Sequence, residues 1–161
     1  MKTAAKPGVC TEPADFQNWK FANSTQEFSA IDYVYGVIQT KRLHPDFMVC
    51  ILALLWPDFI EIDGRIFLRS AYSAHRHDEF LSKAGGGSDD SEYWMNLTML
   101  DALFESDDGH ILTEHANKFL DALAEMWRAR LQLLYPTGQF KVTVINDAES
   151  GDFGITFSQA Q

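Results

Sequence analysis

The residues best suited to metal chemistry lie in one short segment, His75-Arg76-His77-Asp78-Glu79. If this segment is extended, His75 and His77 share a face, and their imidazoles can hold one ion. A catalytic zinc site needs a third protein ligand, and a helical segment would point the two imidazoles apart. We therefore treat His75 and His77 as weak metal candidates and predict neither a bound metal nor a cofactor.

Nucleophilic catalysis has little support in the sequence. Cys50 lies in an apolar run, so we expect it to be buried and chemically inert. The Gly-x-Ser-x-Gly pattern of serine hydrolases is missing, and Gly85-Gly86-Gly87 lacks the lysine of a phosphate-binding loop. These residues favour a protein without catalytic activity, although they leave catalysis open.

Negative charge is concentrated in one part of the chain. The 161 residues carry a formal net charge of −10, and residues 78–108 hold nine acidic residues against one basic residue, a net charge of −8. Such a segment is either a solvated surface or an electrostatic docking site for a cationic partner. Because an acidic chain is unsuited to phosphate backbones, we expect no nucleic-acid partner.

Two large aromatic residues, Tyr93 and Trp94, lie inside this acidic segment. Residues of these types supply much of the binding energy of protein interfaces. We therefore predict that segment 78–108 docks a basic protein, as an adaptor or a toxin-neutralising protein would. The predicted docking residues are Asp89, Asp90, Glu92, Tyr93, Trp94, Asp107 and Asp108.

A second hypothesis is a small-molecule-binding protein or an enzyme. Its pocket would be lined by aromatic side chains, with polar groups from the His75-Arg76-His77 segment at the mouth. The aromatic residues that could line it are Tyr33, Tyr35, Trp56, Tyr72, Tyr93, Trp94, Phe104 and Trp127. Aromatic residues at helical spacing more often form the core of a domain.

The elements that must position these residues begin with an irregular stretch. Residues 1–23 contain two prolines and little periodicity, so we expect a loosely ordered N-terminal arm. A helix should begin at Ser24, capped by Ser24 or Thr25, with Glu27 completing a capping box with Ser24. The β-branched residues that follow leave a strand open as the alternative. Residues 46–56 are apolar all round, which predicts a buried helix or a buried central strand. The frequent Met, Leu and Ala residues favour the helix. The expected inner face of the first helix is Phe28, Ile31, Tyr35 and Ile38.

Two hairpins and two further helices are predicted after residue 56. Asp63-Gly64 should join strands at residues 59–62 and 65–69 in a type I′ turn. A second hairpin should join residues 140–144 to residues 155–157, where apolar and polar residues alternate. We expect one long helix capped by Ser91 and ended by Asp107-Asp108-Gly109, and a second from Thr113 to Leu134, whereas residues 70–84 fit either a helix or a loop.

These patterns predict an α+β fold and a single domain over residues 1–161. Its antiparallel sheet would have about four strands, in two hairpins, packed against several helices on one face. The sequence shows no secretory signal, and its longest apolar run, residues 47–56, is too short to cross a bilayer. We therefore expect a cytoplasmic protein without a membrane partner.

Overall fold

A computed structural model describes residues 14–83, 89–104, 113–147 and 149–160. In these ranges the helices are α1 (Ala14–Ala22), α2 (Ala30–Lys41), α3 (Pro45–Leu55), α4 (Ala74–Lys83), α5 (Asp89–Met95) and α6 (Thr113–Leu134). The strands are β1 (Phe59–Ile62), β2 (Arg65–Leu68), β3 (Thr98–Met99), β4 (Phe140–Asp147) and β5 (Asp152–Gln159), and a 3-10 turn covers Asp101–Leu103. This content confirms the α+β class. The strands form two antiparallel sheets instead of one, in the orders β1-β2 and β3-β5-β4.

The chain divides into two compact units, with the boundary between Phe47 and Met48, inside helix α3. The first unit contains α1, α2 and the start of α3. The second unit contains the end of α3 and all later elements. The single-domain organisation stays a prediction.

Aromatic side chains hold α1 and α2 together in the first unit. The Tyr33 ring lies 5.5 Å from Phe16 and 5.6 Å from Trp19, and the Trp19 ring lies 4.9 Å from Phe28. Gly36 lies against the same indole, since a Cβ at this position would approach the Trp19 ring to 3.2 Å. The glycine that weakens α2 as a helix former therefore makes room for this packing.

Residues 14–22 correct the expectation of a loosely ordered arm over residues 1–23, because they form α1. Residues 1–13 lie outside the described residues. The predicted inner face of α2 is wrong at two of its four positions: Ile31 and Tyr35 are exposed, whereas Phe28 and Tyr33 contact α1. The apolar spacing indicated the helix but not its partner, and α1 decides which side of α2 is covered.

Helix α2 begins later than predicted. Its N-cap is Ser29, whose hydroxyl accepts a hydrogen bond from the Asp32 N–H at 3.3 Å, while the Asp32 carboxylate accepts one from the Ser29 N–H at 2.8 Å. This reciprocal pair is a capping box. The predicted box at Ser24 and Glu27 is therefore wrong, because both residues precede the helix.

We expect Ser29→Ala to destabilise α2 by about 1 kcal/mol and Ser24→Ala to leave its stability unchanged. Hydrogen bonds from the Ser29 N–H and hydroxyl hold the pKa of Asp32 below its ordinary value of 3.8. A lowered folded-state pKa adds stability above the unfolded-state pKa, and this stability is lost as the pH falls through the folded-state pKa. Ser29→Ala should therefore raise the pKa of Asp32 part of the way to 3.8 in a carboxyl NMR titration. An equal loss of helix stability in Ser24→Ala would contradict this cap.

Helix α3 confirms one expectation for residues 46–56 and contradicts another. The helix forms over Pro45–Leu55, as predicted from the apolar run and its flanking prolines. None of its residues is buried, so the prediction of a buried helix is wrong. Cys50 is exposed as well, contrary to expectation. An apolar segment is buried only if other elements cover it. Large side chains of α3 that reach the surface are Phe47, Met48, Val49 and Leu52.

The β1-β2 hairpin forms where the sequence places it. Asp63 and Gly64 have φ angles of 51° and 76°, the left-handed conformations that a type I′ turn requires. Glu61 pairs with Ile66, and Ile62 pairs with Arg65. Because side chains alternate between the two faces of a strand, Phe59, Ile66 and Leu68 lie on one face of the hairpin and pack into the core.

The second sheet contains the predicted hairpin and one unpredicted strand. β4 and β5 pair over their full length, from Phe140↔Gln159 to Asp147↔Asp152. Strand β3 pairs with the other edge of β5, with Met99 opposite Gly154. A Cβ at Gly154 would lie 2.8 Å from the Thr98 carbonyl oxygen, so this close approach requires glycine. The long helix predicted to begin at Ser91 is wrong, because α5 ends at Met95 and the chain then forms β3.

Helix α6 confirms the prediction for Thr113–Leu134 and packs against β4 and β5. Its buried side is Ala116, Leu120, Leu123, Ala124, Trp127 and Leu131. The same core contains Phe59, Ile66 and Leu68 of the first hairpin and Phe153, Ile155 and Phe157 of β5. One apolar core therefore serves both sheets of the second unit.

Candidate functional site

Helix α5, which carries five of the seven predicted docking residues, is followed by a fully buried amide that joins the two sheets. The Asn96 Oδ1 accepts a hydrogen bond from the Leu68 N–H at 2.8 Å. Its Nδ2 donates to the Ile66 carbonyl at 3.2 Å and to the Phe157 carbonyl at 3.1 Å. Only one orientation of the amide satisfies all three partners. Asn96 therefore connects β2 to β5 through its side chain.

Glu92 takes part in the same connection. Its buried carboxylate accepts a hydrogen bond from the Gln159 N–H at 2.9 Å, and the Gln159 Oε1 accepts one from the Ile66 N–H at 3.1 Å. The Asn96 and Gln159 side chains satisfy backbone groups of β2 that would otherwise form an open strand edge, and Glu92 satisfies a backbone N–H of β5. Glu92 was predicted to dock a partner, but its carboxylate faces the fold.

Trp94 points into solvent from the same helix. Its side chain is 50% exposed, and its ring makes an edge contact with the half-buried Tyr93 ring at a centroid distance of 5.2 Å. The Thr156 hydroxyl donates to the Tyr93 carbonyl at 2.7 Å, which ties this part of α5 to β5. Trp94 is therefore an exposed aromatic group on a backbone that the sheet holds in place.

Residues 70–84 were predicted to be either a helix or a loop, and Ala74–Lys83 form helix α4. Helix α4 packs against α5 and carries further acidic residues. Asp78 and Glu79 are both exposed on α4. Asp89 and Asp90 are the first two residues of α5. Asp107 and Asp108 lie outside the described residues. Two neighbouring helices thus carry the exposed indole and the exposed acidic groups Asp78 and Glu79.

The structure does not bring the two metal candidates together. In helix α4 His75 is exposed, whereas His77 is only 5% exposed and packs on the Phe67 ring at 5.0 Å. The His77 Nδ1 lies 3.3 Å from the Tyr72 hydroxyl. Residues two apart on a helix point in different directions, so the imidazoles cannot share an ion. Across the described residues, no group of three His, Cys, Asp or Glu side chains could hold a metal ion.

A groove that the sequence did not indicate lies beside the second half of α3. Its volume is ≈ 350 Å³, and its lining residues are Val49, Leu52, Ala53, Trp56, Asp58, Arg69 and Ser70. We call it the Arg69 groove. A neighbouring hollow shares two of these residues and is lined by Asp58, Phe59, Arg69, Arg130, Leu134 and Tyr135. Neither includes the His75-Arg76-His77 segment.

The acidic side chain of this groove is already paired. The Asp58 carboxylate lies 3.1 Å from the Arg130 guanidinium, which also donates to the Pro57 carbonyl at 3.3 Å. The same guanidinium lies over the Trp56 ring, 5.5 Å from its centroid. Arg130 is therefore committed to three neighbours within the second unit.

Arg69 differs from Arg130. Its side chain is exposed and makes no ion pair or hydrogen bond within the part of the chain that the structure describes. Burial raises the pKa of Tyr135, the Glu61 charge raises it further, and the Arg69 charge lowers it. Both charges therefore act on that phenol.

Comparison of the chain with protein-family models, with curated proteins and with solved structures returns no match in any of the three. Each helix within the described ranges is too short or too polar to cross a membrane.

Proposed function

We propose that this protein binds a basic protein partner through segment 78–108, with Trp94 as the central contact. The observation that carries the proposal is the half-exposed Trp94 indole, placed in a sequence segment of net charge −8. Asp78 and Glu79 supply exposed negative charge on the neighbouring helix α4. An exposed aromatic group with acidic neighbours suits a partner whose surface presents lysine or arginine around an apolar contact.

The two kinds of residue would contribute differently to binding. The acidic groups accelerate encounter with a cationic surface, and salt screens this effect. The indole loses apolar surface area to solvent only in the final complex, so it slows dissociation. The hydrogen bonds of Asn96 and Glu92 hold α5 against both sheets, which limits the ordering that binding would require.

The alternative function, small-molecule binding with the His75-Arg76-His77 segment at a pocket mouth, gains no support from these residues. His77 is buried against Phe67 and Tyr72. The grooves described above are lined by residues of other segments.

The experiment is co-purification from native lysate at low and at high salt, followed by mass spectrometry. We expect a basic protein to be retained at low salt and released at high salt. Reversal of Asp89, Asp90, Asp107 and Asp108 to lysine should lower its retention, as should Asp78→Lys with Glu79→Lys, each by about tenfold. Unchanged retention in both reversed variants would contradict the proposal.

The matched control is Asp121→Lys with Glu125→Lys, which reverses two exposed acids on helix α6. This variant changes the net charge of the chain by the same amount as the reversal of Asp78 and Glu79. It should retain the partner as the unmodified protein does. An equal loss in the control would show that overall charge, and not segment 78–108, governs retention.

A further inference from the structure

We propose that the Arg69 groove is a second binding site, specific for a medium-chain aliphatic carboxylate. The aliphatic chain lies on the wall that α3 provides, and the carboxylate pairs with the Arg69 guanidinium. This site is separate from the proposed protein-docking surface, because no residue of segment 78–108 lines it.

The wall of the groove is apolar and open to a ligand. Val49, Leu52 and Trp56 follow one another at helical spacing and are 65%, 56% and 42% exposed. Ala53 lies between them, so its small side chain leaves a hollow on this face. Covering these groups removes apolar surface from water, which favours binding of an aliphatic chain. The volume of ≈ 350 Å³ lies within the range of small-molecule sites.

The charge of the groove selects the head group of the ligand. Arg130 neutralises Asp58, which leaves Arg69 as the exposed cation among the described lining residues. A guanidinium offers parallel N–H donors whose geometry matches a carboxylate. One available guanidinium suits a singly charged head group, whereas a doubly charged phosphate would favour a second cation.

The location of Arg69 explains why the head group and the chain can bind together. Arg69 directly follows β2, and its backbone N–H donates to the Asp58 carbonyl at 2.9 Å. This bond fixes the start of the Arg69 side chain across the groove from α3. The side chain itself forms no hydrogen bond within the described residues, so a ligand need not displace one.

The test uses octanoate and 1-octanol, which share an eight-carbon chain but differ in charge. Each is titrated into the full-length protein below its aggregation concentration, with binding followed by two-dimensional NMR and calorimetry. We expect octanoate to shift the amide signals of Val49, Leu52, Ala53 and Arg69 and the Trp56 indole signal. Arg69→Gln should weaken octanoate binding about tenfold and change octanol binding less than twofold.

One further variant completes the design. Arg76→Gln removes the same charge from the exposed face of α4 and should leave octanoate binding unchanged. A melting curve establishes that each variant is folded. Equal affinity for octanoate and octanol, equal effects of Arg69→Gln and Arg76→Gln, or signal changes confined to residues outside the groove would each overturn the proposal.

Discussion

Replacing Asn96 with alanine is expected to lower the free energy of unfolding of the second unit by about 3–5 kcal/mol, because three buried backbone groups lose their partner. The Leu68 N–H and the carbonyls of Ile66 and Phe157 bond to this one amide. A buried polar group without a partner costs more than a hydrogen bond contributes. Asn96→Ala therefore removes the hydrogen bonds by which the Asn96 side chain connects the two sheets.

Asn96→Asp tests whether the lost hydrogen bonds or the lost side-chain volume cause the destabilisation. The aspartate has nearly the same shape, but it offers no N–H donor to the Ile66 and Phe157 carbonyls when ionised. We expect it to destabilise the protein about as much as alanine does at pH 7. Asn146→Ala, at an exposed position of β4, serves as the control and should change stability by less than about 0.5 kcal/mol. Urea unfolding curves measure all three, and an unaffected Asn96→Asp variant would contradict this role.

Replacing Trp127 with alanine should also cost about 3–5 kcal/mol, because the indole is a large buried group of the core. The ring is fully buried and makes an edge contact with Phe157 at 6.1 Å. Its N–H donates to the Leu54 carbonyl at 2.8 Å, which anchors the end of α3 to α6. Alanine would leave both a cavity and an unpaired carbonyl.

Trp127→Phe and Trp94→Ala test the two parts of this explanation. Phenylalanine fills most of the volume but loses the hydrogen bond, so we expect an intermediate loss of about 1–3 kcal/mol. Trp94 is half exposed, and its replacement should cost less than about 1 kcal/mol. In thermal unfolding, Trp127→Ala should lower the Tm by about 10 °C. Equal Tm values for the two tryptophan-to-alanine variants would contradict the assigned core.

Features set by neighbouring residues could be predicted from the sequence. Asp63-Gly64 favours the positive φ angles of its turn regardless of the rest of the chain, so the first hairpin was predicted correctly. Helix α6 has an apolar stripe along its length and ends before Tyr135-Pro136, so its extent was predictable.

Features that depend on distant residues could not be predicted. The apolar run of α3 indicated burial, but no other element covers Val49 and Leu52 in the second unit. Thr98 and Met99 have apolar neighbours at helical spacing, yet they pair with β5, more than fifty residues later in the chain. Glu92 lies in an acidic segment of the sequence, but its side chain is buried and its carboxylate accepts a hydrogen bond from the Gln159 N–H.

The docking surface and the Arg69 groove also differ in how far apart in the sequence their residues lie. Trp94 and its acidic neighbours are close in sequence, so the docking surface could be proposed before the fold. The Arg69 groove depends on the pair Asp58 and Arg130, which lie far apart in the chain and leave Arg69 available. No local sequence pattern indicates that Asp58 and Arg130 form a pair. The apolar wall of the groove was not predicted, because α3 was expected to be buried.

The most direct test of partner docking through segment 78–108 is the association rate constant of the captured basic protein at two ionic strengths. Between about 0.05 M and 0.5 M salt, the rate constant should fall at least tenfold for the unmodified protein. It should fall much less for Asp78→Lys with Glu79→Lys, while Trp94→Ala should mainly accelerate dissociation. An association rate that is independent of salt, or equally salt-dependent in the reversed variant, would contradict recognition through this segment.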